Sequence, residues 1–476
     1  MADGLPDRDI SRGTKWLLLV SSLVVIAIMV GEARSNLSAE WRRHQKEYHK
    51  LLLAKALDEA NKETARSFNI ALQQVVVPEL GVTDRCVSCH TGIDNPHMAD
   101  EKQPYRLHPG TFLKDHPVSR FGCAICHRGQ GAAVNNADAK AVHAYWDYPM
   151  LPGKMVQASC GQCHDPKAMK GRGGDILARG ARLFESSGCR ACHKLGGRGG
   201  ALGIALDDEG RRIIHQLPLT ELKGEHTVWN WLAEHFRDPR GVVPTSQMRN
   251  PTLTEPEIEA LTTYILSLSK LTIPEDYITP DKYEQKYEAL RPGRPNGAEL
   301  YRQFCFSCHE SGTYSRWDKI SGRFIPAIRG KALAASPAGY LRRNIELGRD
   351  GTQMPGWRKS GGGLSNSEIG ALEAYIRGGV KPVEMTASAQ GRGNAGRGRA
   401  LFAQNCRGCH GSGGKGGVAP ALGSATFLSV ASDAFILSTI KNGRPDTAMP
   451  AFQRAGTAGL TDVELTDLLA YIRSMK

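Results

Sequence analysis

All twelve cysteines of this 476-residue chain lie in six copies of one motif, Cys-x-x-Cys-His. In every copy two thiols and an imidazole must converge on one ligand, and no cysteine is left for a disulfide bond. This feature constrains the fold more than any other, because six ligand sites have to be built into one chain. The cysteine pairs are Cys86 and Cys89, Cys123 and Cys126, Cys160 and Cys163, Cys189 and Cys192, Cys305 and Cys308, and Cys406 and Cys409. The histidines that complete the motifs are His90, His127, His164, His193, His309 and His410.

The motif identifies the ligand. In Cys-x-x-Cys-His the two thiols form thioethers to the haem vinyl groups, and the histidine becomes an axial ligand of the iron. A redox dithiol or a zinc site also uses Cys-x-x-Cys, but neither explains why a histidine follows every copy. We therefore predict six covalently bound haem c groups, and we number the haem sites 1 to 6 in the order of their motifs.

The net charge does not point to a nucleic acid. A formal charge of +13 would by itself suit a polyanion or an anionic membrane surface as partner. Each haem carries two propionate groups, so six haems would bring about −12 charges at neutral pH. Propionate groups therefore account for most of the basic excess, and we predict no nucleic-acid binding.

The amino-terminal region has the composition of a membrane anchor. Residues 16–30 form an uninterrupted run of apolar and small residues, preceded by Arg12 and Lys15. The run is short for a span, which needs roughly 20 residues, and Gly31-Glu32-Ala33 would also suit cleavage of a signal peptide. We favour an uncleaved helix, because residues 37–77 contain no Gly or Pro and are rich in helix formers. The predicted segments are a cytoplasmic amino terminus at 1–15, a transmembrane helix at 16–33 and a helical stalk at 34–79.

Attachment of haem to Cys-x-x-Cys-His takes place outside the cytoplasm, which fixes the orientation. We predict a single-pass protein of the inner membrane with its haem domains in the periplasm. The first three motifs begin 37 residues apart both times. So little sequence separates them that we expect one compact trihaem module at residues 80–170, with haem in place of a hydrophobic core.

The last three motifs each lie in an internal repeat. Each repeat opens with a helical segment ahead of the cysteines and closes with a second helix that begins at a capping box. The opening segments start at Gly180, Gly297 and Gly398, and the capping boxes are Thr254 with Glu257, Ser365 with Glu368, and Thr461 with Glu464. Seven residues after each of these glutamates comes Tyr-Ile, at Tyr264, Tyr375 and Tyr471.

These repeats resemble the class I cytochrome c family, in which the first and last helices cross over a single haem. The resemblance implies three class I cytochrome c domains in tandem. With the transmembrane helix, stalk and trihaem module predicted above, we expect a mainly α fold. The two linkers are rich in Pro and charge or in Gly, Ala and Ser, so we expect tethers between independent domains. The predicted bounds are 175–270 for the first domain, 271–296 for a linker, 297–380 for the second domain, 381–396 for a linker and 397–476 for the third domain.

The resemblance also implies sixth ligands. Class I domains usually supply a methionine from the loop before the last helix, and Met248, Met354 and Met449 lie at that place. Met354 and Met449 are followed by proline, whereas Met248 is followed by Arg249. The first domain also lacks the family's proline after the haem motif, which Pro326 and Pro420 match in the others. Rival ligands in that domain are His215, His226 and His235.

The trihaem module has no such methionine pattern, but it has four histidines outside its motifs. We predict His108, His116 and His143 as sixth ligands, with His97 in reserve and Met150 and Met155 as weaker alternatives. His108 and His116 each precede a proline, which holds their backbone extended. Three bis-histidine haems would then precede three His/Met haems, whose reduction potentials are higher.

This order predicts the direction of electron flow and the function. We expect a subunit that carries electrons from a quinol-oxidising complex, with cytochrome b, a Rieske protein or an analogue, to a soluble cytochrome or a terminal oxidase. The plan resembles membrane-anchored cytochrome c subunits of bacterial cytochrome bc-type complexes. Two alternatives stay open: a cytochrome subunit of a periplasmic dehydrogenase, and a multihaem reductase or oxidase with an open iron position. No catalytic residue is predicted.

Overall fold

The computed structural model describes residues 11–142, 146–290, 293–334, 336–337, 339–381, 393–453 and 459–475. The chain divides into two compact units, Met1–Val156 and Gln157–Lys476. The division falls after the second motif, so the third motif belongs to the same unit as the class I repeats. The predicted fold class is confirmed: the fold is mainly helical, with a long apolar helix at the amino terminus.

The first unit contains seven helices and one small antiparallel sheet among its described residues. The helices are α1 (Arg12–Leu37), α2 (Glu40–Lys55), α3 (Glu59–Arg66), α4 (Phe112–Asp115), α5 (Val118–Phe121), α6 (Ala124–His127) and α7 (Asn136–Lys140). Strands β1 (Val75–Val77) and β2 (Val82–Asp84) pair with Val76 opposite Thr83.

Helix α1 is the candidate membrane span. The Ser11 side chain caps it by accepting a hydrogen bond from the Thr14 amide, and none of its residues is buried. By length and composition it is apolar enough to cross a membrane, although a signal sequence would pass the same test. Its apolar side chains have no protein surface to pack on, which is what a lipid environment would require.

The stalk differs from the single continuous helix that the sequence suggested. Helix α2 begins only at Glu40, the helical part ends at Arg66, and the chain then runs extended into β1. The physical reason is packing, because α2 buries Trp41, Gln45 and Tyr48. The Gln45 amide donates to the carbonyl of Ser88 inside the first haem motif, at 3.0 Å. Helix α2 is thus part of haem site 1.

The second unit contains the remaining helices and one more two-stranded sheet. Its first half has α8 (Asp175–Ser186), α9 (Val228–Arg237), α10 (Pro239–Val242), α11 (Glu255–Leu266) and α12 (Pro280–Leu290). Its second half has α13 (Gly297–Phe304), α14 (Phe306–His309), α15 (Lys331–Ala334), α16 (Tyr340–Leu347), α17 (Asn366–Arg377), α18 (Ala395–Asn405), α19 (Arg407–His410), α20 (Ala425–Val430), α21 (Asp433–Asn442) and α22 (Asp462–Ser474). Strands β3 (Arg316–Asp318) and β4 (Arg323–Ile325) are antiparallel.

Each repeat contains the helix crossing that the sequence predicts. The opening and closing helices are α8 and α11, α13 and α17, and α18 and α22, and each closing helix begins at its predicted capping box. One glycine per crossing lets the backbones touch, since an added Cβ would lie about 2 Å from a carbonyl oxygen of the partner helix. These close approaches are Gly180 on Ala260, Gly297 on Ala371 and Gly398 on Asp467.

The repeats are packed against each other and not strung on flexible tethers. The guanidinium of Arg249 in the first repeat lies 2.8 Å from the Asp318 carboxylate in the second. Between the second and third repeats, the rings of Tyr340 and Phe435 have centroids 4.7 Å apart. Tyr340 belongs to the hydrophobic core of the third repeat. The linker around 382–392 lies outside the described residues.

The other predicted tether, 271–296, contains helix α12, which packs on the third haem motif. The Thr279 amide donates to the Cys163 carbonyl at 3.2 Å, and the Lys282 ammonium donates to the Gly161 carbonyl at 3.0 Å. Asp281 accepts a hydrogen bond from the amide of Asp165. Proline and charge in this stretch therefore mark a helix that packs on the third motif and not a free linker.

Candidate haem sites

All six motifs fold into the same turn. In each, the amide of the histidine donates to the carbonyl of the first cysteine four residues earlier, at 2.9 to 3.0 Å. A single helical turn therefore brings the second thiol and the imidazole, three and four residues along, to the side of the first thiol, as attachment to one ligand requires.

Four cysteines of the class I repeats lack the lowered thiol pKa of a redox dithiol. Catalytic Cys-x-x-Cys sites lower a thiol pKa so that a thiolate forms. Here burial raises the pKa of Cys189 and Cys305 to about 12 and that of Cys192 and Cys406 to about 11. Such thiols stay protonated, which disfavours thiol–disulfide exchange.

The motif histidines of the repeats are held as iron ligands would be. Their Nδ1 atoms lie 2.9 Å from the Ile204 carbonyl oxygen for His193, 3.3 Å from that of Pro326 for His309 and 2.8 Å from that of Pro420 for His410. A carbonyl oxygen only accepts, so Nδ1 carries the proton and Nε2 keeps the lone pair that binds a metal. Burial also lowers the pKa of His309 to about 4, which keeps its imidazole neutral.

The first repeat lacks the proline whose carbonyl accepts the histidine hydrogen bond in the other repeats, and another residue provides this carbonyl. The carbonyl of Ile204 takes the role that Pro326 and Pro420 fill in the other repeats. Its neighbour Gly203 lies so close to the His193 ring that an added Cβ would be 2.3 Å from Cε1. Gly203 therefore leaves room for the imidazole of His193. The carbonyl acceptor is present although the proline is absent.

This contact yields a prediction. A Gly203→Ala variant should push the His193 ring out of position, because a contact of 2.3 Å is far inside van der Waals distance. We expect partial loss of the haem at site 4 and a loss of stability of about 1–3 kcal/mol, as for other overpacked sites. Haem content per chain measures the first effect and thermal unfolding the second. Gly408→Ala, whose added Cβ meets nothing within 4 Å, is the matched control and should retain every haem.

Haem sites 5 and 6 are apolar cavities that contain complete donor sets. One cavity of about 1330 Å³, open to solvent, is lined by Cys305, Cys308, His309 and Met354 among largely apolar residues. A second cavity of about 1270 Å³ is lined by Cys406, Cys409, His410 and Met449. Two thiols, an imidazole and a thioether sulfur in one apolar cavity are the donor set of a His/Met haem c, so the residues fit the group.

The two cavities share a wall. The residues that line both are Phe324, Pro326, Tyr340, Arg349, Val418, Ala419, Pro420 and Arg444. Among them, the hydroxyl of Tyr340 is buried and has no hydrogen-bond partner in the described part of the chain. A buried donor of this kind needs an acceptor, and a haem propionate would supply one. The shared wall means that ligands in the two cavities would be neighbours.

The methionine loops of the three repeats have one conformation in common. The amide of Met354 donates to the Thr352 hydroxyl at 3.1 Å, and the amide of Met449 donates to the Thr447 hydroxyl at 3.2 Å. The amide of Met248 makes the same bond to Ser246 at 3.2 Å. Met248 therefore lies in a loop of the expected type, although no proline follows it.

The rival histidines of the first repeat differ among themselves. His215 and His226 are exposed. His235 is half-buried, stacks on Trp231 with centroids 4.8 Å apart, and has a buried Nδ1 without a hydrogen-bond partner among the described residues. Burial, with the nearby charges of His193 and Arg212, lowers the pKa of His235 to about 4. His235 thus stays a candidate beside Met248 for haem site 4.

Haem sites 1 and 2 are built on one buried carboxylate. Asp84, which is fully buried, accepts hydrogen bonds from the amides of Cys123 and Ala124 and lies 4.0 Å from the Cys86 sulfur. Gly131 approaches the same carboxylate so closely that a Cβ would lie 2.1 Å from it. Asp84 therefore joins the loops of the first two motifs, so their ligands would be neighbours.

The predicted sixth ligands of the first unit have different surroundings. The ring of His108 lies 6.3 Å from that of His127, centroid to centroid, and its Nδ1 is 3.0 Å from the Pro109 carbonyl oxygen. His116 has its Nδ1 3.1 Å from the Phe112 carbonyl oxygen. The reserve candidate His97 is exposed. His143 lies outside the described residues.

Two histidines of α2 were missed from the sequence as possible ligands. His49 has a buried Nε2 without a hydrogen-bond partner among the described residues, and its ring packs on Phe68. His44 lies 3.0 Å from the Tyr105 hydroxyl, and its charge contributes to the lowered pKa of His90 after the larger effect of burial. Assigning α2 to a stalk hid both, although Trp41 and Tyr48 lie seven residues apart, which is the spacing of one buried helix face.

Comparison with known proteins agrees with the repeats. Residues 294–376 and 393–472 match the family described as cytochrome c oxidase, cbb3-type, subunit III, and residues 177–269 match the cytochrome c family. A cbb3-type cytochrome c oxidase subunit FixP from Bradyrhizobium sp. (strain ORS 278) is 26% identical over 185 residues, 36% of this chain and 58% of that protein. FixP from Bradyrhizobium diazoefficiens is 24% identical over 180 residues, 34% of this chain and 56% of that protein.

The chain matches little more than half the length of these relatives. Together with the six motifs and the donor sets described above, this similarity identifies the class of protein. The chain is a multihaem c-type cytochrome with class I cytochrome c domains and with distant similarity to the FixP subunit of cbb3-type oxidases.

Proposed function

We propose that this chain is the membrane-anchored electron-transfer subunit of a respiratory complex. In this proposal it holds six haems and carries electrons from a quinol-oxidising partner to a periplasmic acceptor. The observation that carries the proposal is the wall shared by the cavities of sites 5 and 6. A shared wall suits the passage of electrons between neighbouring sites.

The residues of the chain would bind and insulate the cofactors. Haem supplies one-electron oxidation and reduction when bound. The cysteines would fix its position, backbone carbonyls would fix the tautomer of the proximal histidines, and buried apolar residues such as Phe304 and Trp357 line the cavity. None of these roles needs a group that moves a proton or attacks a substrate.

The sixth ligands set the direction of flow in this proposal. Methionine as axial ligand raises the reduction potential above that of bis-histidine haem. Met354 and Met449 line cavities with their haem motifs, and the loop of Met248 resembles theirs. We propose bis-histidine ligation at sites 1 to 3, with His108, His116 and His143 as ligands, so electrons would run toward sites 4 to 6.

His108 is proposed as the sixth ligand of site 2. Metal–imidazole bonds are about 2 Å long, so two imidazoles on opposite faces of one metal ion have ring centres roughly 6 Å apart. The rings of His108 and His127 have centroids 6.3 Å apart. The Pro109 carbonyl engages Nδ1 of His108, which leaves the lone pair on Nε2.

A His108→Ala variant should therefore open one haem to external ligands. We expect one low-potential haem per chain to become five-coordinate in the reduced state and to bind carbon monoxide, because nothing replaces the lost imidazole. Absorption spectra of the reduced protein with and without carbon monoxide measure the change. His97→Ala is the matched control, since His97 is exposed, and its spectrum should stay that of the parent. A six-coordinate spectrum in the His108 variant would reject the assignment.

The membrane location rests on α1. Its apolar face is fully exposed, and c-type domains are typically extracytoplasmic. We propose a single-pass protein of the inner membrane with its haem domains in the periplasm. One span offers no pocket for a quinone, so a partner with its own membrane core would have to oxidise quinol.

A second candidate function follows from the similarity to FixP, which is named as a subunit of cbb3-type oxidases. Under this candidate the chain would deliver electrons within an oxidase complex. The match covers about a third of this chain, and the family model that names the cbb3-type oxidase matches only the second and third repeats. A cytochrome subunit of a periplasmic dehydrogenase stays a weaker alternative.

Affinity purification of the tagged full-length chain from native membranes, with mass spectrometry, tests these candidates. Co-purification of a cytochrome b, a Rieske protein or another quinol-oxidising partner is the expected result. An oxidase core as the stoichiometric partner would favour the second candidate. A periplasmic dehydrogenase in its place would contradict both.

A further inference from the structure

The first repeat departs from its two homologous repeats immediately after its candidate ligand methionine. Met354 and Met449 are followed by proline, whereas Met248 is followed by Arg249. Proline would end the loop with a rigid backbone and no charge. Arginine instead provides a permanent charge and five donors on a long side chain.

Arg249 reaches into the neighbouring repeat. Its Nη2 lies 2.8 Å from Oδ2 of Asp318, its Nε lies 3.2 Å from Oδ1 of the same carboxylate, and its Nη1 lies 3.3 Å from the sulfur of Cys308. The arginine side chain is 20% exposed and the aspartate 4%. It also lines the cavity of site 5. A residue next to the ligand of site 4 thus touches the attachment point of site 5.

The surroundings of this ion pair are charged on both sides. Arg316 lies 4.0 Å from Asp318 and 3.1 Å from Glu310, and its Nη2 donates to the Cys308 carbonyl at 3.1 Å. Burial raises the pKa of Asp318, but hydrogen bonds from Arg249 and Ser321 outweigh it and hold the pKa at about 2. Two arginines therefore contact Cys308, and two carboxylates pair with these arginines. Arg249 is the one whose charged group lies against the sulfur.

A second contact joins the same two loops. The side-chain amide of Gln353 donates to the side-chain oxygen of Gln247 at 3.1 Å, and these residues directly precede Met354 and Met248. The loops that carry the two candidate methionine ligands are therefore hydrogen-bonded to each other. The Arg249 ion pair and this amide contact hold sites 4 and 5 in one arrangement.

We propose that Arg249 is a positioning residue that joins haem sites 4 and 5 and raises the reduction potential of the haem at site 5. The charge of the arginine acts at the thioether sulfur of Cys308. A positive charge there favours the ferrous state, which carries one positive charge less than the ferric state. The proposal deepens the proposed electron-transfer function and rests on it. It makes site 5 a better acceptor for an electron that leaves site 4.

The test compares two substitutions in one ion pair. In the full-length protein, Arg249→Gln removes the positive charge, and Asp318→Asn removes the negative charge that offsets it. Potentiometric titration followed by optical and paramagnetic resonance spectra gives the potential of each haem. We expect Arg249→Gln to lower the potential of site 5 and Asp318→Asn to raise it. A shift of about tenfold in the ratio of reduced to oxidised haem corresponds to 59 mV for one electron.

Shifts of opposite sign in the reduction potential of site 5 distinguish an effect of charge from a loosened interface between the repeats. If the ion pair only held the repeats together, both substitutions would admit water and move the potential in the same direction. The matched control is Arg198→Gln, because Arg198 forms an ion pair with Glu368 across the same two repeats and does not line the cavity of site 5. Its potentials should equal those of the parent.

Shifts of equal sign, or no shift in either variant, would overturn the proposal. Met354→His identifies the component that belongs to site 5, because histidine ligation lowers its potential. If Met354→His changes the potential of no haem, Met354 is not the ligand of site 5. The role of Arg249 is then judged only from the directions in which Arg249→Gln and Asp318→Asn shift the potentials. Haem content per chain, measured on each variant, shows whether the sites are filled. A parent protein that contains fewer than six haems per chain would contradict the proposed function and not the role of Arg249.

Discussion

A Cys305→Ala, Cys308→Ala variant is expected to lose one haem and to break the path between the first and third class I repeats. Site 5 shares a wall with site 6 and is joined to the loop of site 4 through Arg249. Without its thioether attachments the cavity would hold no haem, and sites 4 and 6 would lose the site that contacts both of them. Reduction of site 6 by electrons entering at the low-potential end should fall to the background of direct reduction, as measured by stopped-flow absorption.

The matched control for this prediction is Cys406→Ala, Cys409→Ala, which removes the last haem of the chain. That variant should also lose one haem, but sites 4 and 5 should still be reduced at the parent rate. Rapid reduction of site 6 in the chain without site 5 would contradict the proposed order of the sites. Haem content and circular dichroism of both variants show that the other domains have folded.

The second large effect is expected from Met449→His. Met449 lines the cavity of site 6 together with His410 and both cysteines of its motif. Histidine in its place should lower the potential of this haem by on the order of 0.1 V or more, because axial ligands move haem potentials over about 0.8 V. Output to an acceptor of high potential should fall accordingly. Potentiometric titration measures the shift.

Met155→His serves as control for Met449→His, since Met155 lies in the other unit and lines neither cavity. Its titration curve for site 6 should match that of the parent. A Met449→His protein with an unchanged potential at site 6 would reject methionine ligation there. His410 would then need another distal partner.

The class I repeats could be predicted from the sequence because their signals are local and occur three times. The capping boxes at Thr254, Ser365 and Thr461 form as expected. The glycines of the opening helices are explained by helix crossings that bring backbones into contact. A pattern that occurs three times with the same internal spacing rarely arises by chance. The mainly helical fold could therefore be predicted from it.

Contacts between segments far apart in sequence could not be predicted in this way. Residues 271–296 have the composition of a tether, but Pro280 starts a helix that packs on the third motif. Similarly, Gln45 of α2 bonds to Ser88 in the first motif. Such contacts depend on which surfaces meet in the folded chain, so they cannot be predicted from secondary-structure propensity or composition.

The sequence also did not show where one residue takes over the role of another. The first repeat lacks the expected proline after its motif, but the Ile204 carbonyl receives the Nδ1 hydrogen bond of His193. A backbone carbonyl is present at every residue, so its use as an acceptor leaves no trace in the sequence. Gly203 is the one signal, because only glycine fits so close to the imidazole.

Carbon monoxide binding to the fully reduced full-length protein tests the central claim most directly. If the chain only carries electrons, every haem has two axial ligands from the protein, and the spectrum should not change under native conditions. The same sample should contain six haems per chain, one for each motif. Binding of one carbon monoxide per chain would contradict the account, since an iron with an open position belongs to an enzyme.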